Sequence, residues 1–115
     1  MRTTEEVLKD HLELSKKGSI EDDLQKNFSK SLILLTTHGI YKGHAGLKEL
    51  NKMLIRDFPK AEFNYTNFLF QDEIAFLEWT ANSDNSQIDD GADSYIVRNG
   101  LIIAQTIHYT IRKKK

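Results

Sequence analysis

Asp93 and His108 stand near the two ends of DSYIVRNGLIIAQTIHY, residues 93–109, a stretch otherwise dominated by Ile, Val and Tyr. A carboxylate beside an imidazole orients the ring and stabilises its protonated form, so such a pair is equipped to move a proton to or from a substrate. The residues between them read as two buried strands, with Asn99-Gly100 as the centre of a tight turn. That turn pairs Arg98 with Leu101 and, further out, Gly91 with His108, and paired residues share a sheet face. Asp93, Tyr95, Val97, Ile102, Ala104, Thr106 and His108 are therefore expected on one face, with Asp93 and His108 as diagonal neighbours. The expectation depends on register, because a slip of one residue carries every side chain to the other face. The mixed polar and aromatic face is assigned inward, toward a ligand cavity; the reverse assignment stays open. A structural role for the pair also stays open, since buried polar groups need partners whether or not they catalyse.

Asp93 is thus the candidate carboxylate and His108 the candidate acid/base, with Tyr95 positioning a ligand. Further ligand-binding candidates are Trp79, His38 and Tyr41, with Tyr65 behind them. Glu78 and Trp79 point to opposite faces of one strand, so only one of them enters a cavity. His11 lies on the apolar face of the first helix and reads as a core or edge histidine with a route to the cavity, and His44 reads as an exposed loop residue. The histidines lack a metal-motif spacing and there is no cysteine, so no metal and no cofactor are expected.

The elements that must position these residues follow from periodicity. Thr3 and Glu6 have capping-box spacing, and Val7, Leu8, His11 and Leu12 then share a helical face that stops at Gly18. Ser19 opens a short second helix with Ile20, Leu24 and Phe28 on its apolar side. SLILLTT (31–37) reads as a strand and HGIYKGHAG (38–46) as a loop. Leu47, Leu50, Leu54 and Phe58 form a third helical stripe that Pro59 ends. Beyond Pro59 the period falls to two, giving four strands with weaker turns at Asp72-Glu73 and Asp84-Asn85. Helices followed by antiparallel strands make an α+β pattern in one domain, 1–115. The second hairpin face, with Ile96, Ile103, Ile107 and Tyr109, is too apolar for open water and predicts a homodimer.

A net charge of −1 offers no basic field for nucleic acid, and no apolar run approaches a membrane span, so neither partner is expected. The opening MRTTEEVLKDHLEL lacks the apolar centre of a signal peptide, and a cytoplasmic location is expected.

The order of two helices, a strand into HGIYKGHAGLKEL, then FLEWTA and DDGADSYIVRNGLIIAQTIHYTI, resembles the SnoaL-like branch of the nuclear transport factor 2-like superfamily over nearly the whole chain. The resemblance implies a cystatin-like fold: a cone-shaped barrel of curved, mainly antiparallel sheet wrapped around amino-terminal helices, commonly a homodimer. It also implies a small, largely apolar ligand in the cone. The functions it implies are cofactor-free isomerisation, dehydration, hydration or cyclisation, or else non-catalytic binding or dimerisation. The isomerases' tyrosine on the first helix has no counterpart here.

Overall fold

The computed structural model describes residues 1–114. A capping box opens the first helix, α1 (Thr4–Lys17): the Thr3 hydroxyl accepts the Glu6 N–H, and the Glu6 carboxylate accepts the Thr3 N–H at 2.9 Å. Gly18, at φ 72°, turns the chain back and satisfies the last carbonyls, and α2 (Ile20–Asn27) returns antiparallel to α1. Phe28 starts β1 (Phe28–Thr36) instead of extending the second helix.

The segment expected as a loop is more ordered than its glycines suggest. Gly39–Lys42 forms β2, paired antiparallel with β1, and Gly43 opens α3 (Gly43–Asp57). His44 is consequently a half-buried helical residue whose Nε2 lies 2.9 Å from the Phe28 carbonyl, not an exposed loop residue. The third helix ends before Pro59, as its ring requires.

Four long strands follow: β3 (Glu62–Gln71), β4 (Ile74–Asn82), β5 (Ser86–Arg98) and β6 (Leu101–His108). A short β7 (Arg112–Lys113) pairs with β5. The sheet runs β2-β1-β6-β5-β4-β3, antiparallel throughout except for the parallel β1–β6 pair. It is a curved, unclosed sheet whose inner face packs on the helices. That face contributes Leu32, Leu34, Leu77, Tyr95, Val97 and Ile102 to a core shared with Val7, Leu8, Leu24 and Phe58. Among the described residues no helix is long and apolar enough to cross a membrane.

The hairpin register decides the site. Asn99 and Gly100 both take positive φ, 54° and 76°, as a tight primed turn requires. Arg98↔Leu101 and Val97↔Ile102 pair as expected. A β-bulge then intervenes: Ile96 pairs with Ala104, leaving Ile103 as the extra residue. Every pairing beyond it is displaced by one, so that Tyr95 meets Gln105, Asp93 meets Ile107, and His108 meets Ala92. Gln105, Ile107 and Tyr109 therefore turn inward with Asp93 and Tyr95, while Thr106 and His108 turn outward.

Candidate functional site

The inner face of the sheet and the three helices line an open-mouthed cavity of about 750 Å³. Its apolar lining includes Leu12, Leu50, Leu54, Leu77 and Ile107. Two hydrogen-bonded clusters of buried polar side chains stand in that lining, one on the sheet and one on the helices.

The sheet group is centred on Asp93, which is 8 % exposed. Its Oδ1 accepts the Trp79 indole N–H at 3.0 Å. Its Oδ2 accepts the Tyr95 hydroxyl at 3.0 Å and the Gln105 amide at 3.3 Å. Strand periodicity explains the cluster: Tyr95 follows Asp93 by two residues on β5, Gln105 lies opposite Tyr95, and Trp79 reaches across from β4. Gly91 lies opposite Trp79, and a Cβ there would sit 2.2 Å from the indole, so only glycine lets the ring lie flat against β5. Burial pushes the Asp93 carboxyl above the usual carboxylate range, against the three donors and the nearby His11, which favour its ionised form. Burial likewise pushes the Tyr95 hydroxyl well up, reinforced by Asp93. Gln105 Oε1 is buried with no hydrogen-bond partner among the described residues.

The helical group is centred on His11. Its Nδ1 lies 2.7 Å from Asp23 Oδ2, and the ring packs edge-on against Phe28 and Tyr95, with centroids 5.1 and 5.7 Å away. Asp23 is itself held: the fully buried Asn27 donates from Nδ2 to Asp23 Oδ1 at 2.9 Å and to Asp10 at 3.0 Å. Arg2 donates to Asn27 Oδ1 at 2.8 Å. The carboxylate fixes the tautomer with Nδ1 protonated, which makes Nε2 the basic nitrogen. Nε2 has no hydrogen-bond partner among the described residues. His11 and Asp23 line the same cavity as Asp93, Trp79, Tyr95 and Gln105.

The structure thus brings three of the sequence candidates together, Asp93, Tyr95 and Trp79, and settles the strand alternation: Trp79 is inside and Glu78 outside. His108 is not with them. The bulge places it on the outer face, exposed, with Nε2 3.4 Å from Asp90. The expected Asp93–His108 pair does not exist in this register. His38 is exposed in the β1–β2 turn, its ring 5.5 Å from that of Tyr109, and it is outside the cavity lining. Tyr41 packs against the core from β2 and also stays out of the lining. His11 is the residue that sequence reasoning undervalued. Its signal was its place on the inward stripe with Val7, Leu8 and Leu12, one helical hairpin away from Asp23.

Among the described residues no group of three or more His, Asp or Glu side chains is arranged to hold a metal ion. The chemistry on offer is proton transfer by an imidazole–carboxylate pair beside a buried, hydrogen-bonded carboxyl group.

No protein-family model matches the sequence, and no curated protein matches it significantly. Solved structures match its fold over nearly the full length. An NTF2-like protein of unknown function from Burkholderia pseudomallei superposes with a TM-score of 0.81 at 10% identity, covering 96% of this chain and 92% of the other. A candidate ketosteroid isomerase from Kribbella flavida gives 0.79 at 12% identity, covering 97% and 81%. TerC, crystallised with polyporic acid, gives 0.79 at 15% identity, covering 93% and 91%. Identities this low carry the fold and nothing finer. The chain has the NTF2-like fold, the α+β cone implied by its SnoaL-like resemblance.

Proposed function

We propose that this protein binds a small, largely apolar molecule in its cone and transfers a proton on it without a cofactor, as an isomerase, lyase or cyclase would. One observation carries the reading: His11–Asp23 from the helices and Asp93–Tyr95–Trp79–Gln105 from the sheet meet in the lining of a single cavity, with the His11 and Tyr95 rings in edge contact. His11 Nε2 takes or returns the proton, and Asp23 stabilises the imidazolium that forms. Asp93 already accepts three donors, so its part is to hold Tyr95, Trp79 and Gln105 as a fixed polar wall. A ligand donor at that depth would give Gln105 Oε1 the partner it lacks. The ligand-bearing TerC structure and the Kribbella neighbour support a small-molecule role for a cone of this shape. This reading replaces His108 by His11 as the acid/base and keeps the expected chemistry.

The test needs no knowledge of the product. Small cyclic ketones are incubated with the protein in deuterated water, and exchange at the carbon beside the carbonyl is followed by NMR. The native protein accelerates exchange, and His11→Ala lowers the acceleration by about 100-fold or more. Ligand binding without exchange, in any ketone tried, would leave a non-catalytic binding module as the better description.

A further inference from the structure

We propose that the cavity's occupant is an apolar organic acid, bound with its anionic group at the mouth beside Lys16 and Lys60 and its uncharged end against His11 and Gln105. The proposal rests on the small-molecule reading of the cavity and names the ligand class.

Charge is segregated along the cavity. Its two buried carboxylates, Asp23 and Asp93, are 3 % and 8 % exposed. The lining lysines, Lys16, Lys17 and Lys60, are all exposed and mark the opening, together with one acid, Glu62. Of these three lysines, Lys17 is matched, by Glu13 on its own helix. Lys16 and Lys60 have no carboxylate within ion-pair distance among the described residues. On its own helix Lys16 has Leu12 four residues before it, and Glu13, three before it, is taken by Lys17. Its ammonium is held instead 4.8 Å over the ring of Tyr65, which also lines the cavity. A ring positions the cation at the opening and leaves its charge unneutralised.

The buried end disfavours an anion. A negative group placed there would lose hydration and face Asp23 and Asp93. Turned the other way, the same molecule lays its apolar body on Leu12, Leu50 and Leu54 and meets two unmatched cations. Orientation and charge preference therefore follow from one gradient.

A matched pair of probes tests this. Anilinonaphthalene sulfonate and phenylnaphthylamine differ by the sulfonate alone, and both accept energy from the single tryptophan, Trp79, which lies inside the cavity. At low ionic strength the sulfonate should bind about fivefold or more tightly than the amine, the range open to two solvent-exposed ion pairs. The double variant Lys16→Gln, Lys60→Gln should bring the ratio close to one by weakening the sulfonate. A control that removes the same charge elsewhere, Lys9→Gln with Lys52→Gln, should leave the ratio as it was. Equal affinities in the native protein, a ratio insensitive to the Lys16 and Lys60 changes, or an equal fall in the control would overturn the proposal. If the amine alone takes energy from Trp79, the cavity reading stands and the organic-acid proposal falls. If neither probe does, the cavity reading itself fails.

Discussion

At the scale of single residues, the titratable groups that share the cavity decide which chemistry it can do. His11 and His108 are both beside a carboxylate, at 2.7 and 3.4 Å, yet only His11 lines the cavity. In the ketone exchange assay His108→Ala should keep activity within about twofold of native while His11→Ala loses it. Comparable losses in the two variants would show that the wrong histidine has been assigned. Asp93 makes a separate prediction about stability. Burial raises its folded pKa, so the unfolded chain gives up this proton first. Its contribution is fully present below the unfolded value of about 3.9 and is lost as pH rises through the folded value. Asp93→Asn removes that linkage and keeps the geometry, because its amide can donate to the Tyr95 hydroxyl and to Gln105 Oε1 while its oxygen accepts from Trp79. Urea midpoints measured from pH 4 upward should therefore move against native protein and in favour of the variant as pH increases. Parallel curves would mean that Asp93 ionises as an ordinary carboxylate.

At the scale of elements, β4 and β5 are fitted together by Gly91 under the Trp79 indole. Gly91→Ala should cost about 1–3 kcal/mol, the range for overpacking a filled interior, and should shift Trp79 emission as the ring is displaced. Chemical denaturation and fluorescence of one sample read both effects; a neutral substitution would contradict the packing described. The same hairpin shows what the sequence made legible. Asn99-Gly100 announced its turn, and the first two pairs followed from it. Asp93 and Tyr95 share a face at any register because they lie two apart on one strand. The bulge at Ile103 carried no such mark: Ile102, Ile103 and Ala104 are ordinary strand residues, without the glycine or proline that often signals an irregularity. A single unmarked residue moved His108 out and brought Gln105 in. His11 was hidden for a different reason: its partner Asp23 lies on another helix, and the angle between two helices is a tertiary fact that periodicity does not contain.

For the whole molecule, the outer face of the sheet raises the question of a partner. The expected dimer face included Ile107 and Tyr109, which the bulge turns inward; Ile96 remains outside. The outward surface now comprises Ile33, Leu35, Leu69, Ile74 and Phe76, all at least 37 % exposed, with Ile96 paired between Ile74 and Ala104. We retain the homodimer as a proposal through this revised face, because an apolar stripe running across several strands is costly in water. Light scattering at micromolar concentration should give twice the chain mass of 13.3 kDa, and Phe76→Lys should shift the protein toward monomer. A native monomer under those conditions would remove the proposal and leave the cavity untouched.

The central claim is that a ligand occupies the space between His11 and Trp79. The single indole N–H of Trp79 and the four imidazoles are NMR probes few enough to assign by substitution. Titration with an apolar ligand such as phenylnaphthylamine should shift the Trp79 indole and His11 ring signals together, with one saturation curve, while His108 on the outer face stays in place. Shifts at His108 with Trp79 and His11 silent would contradict the account.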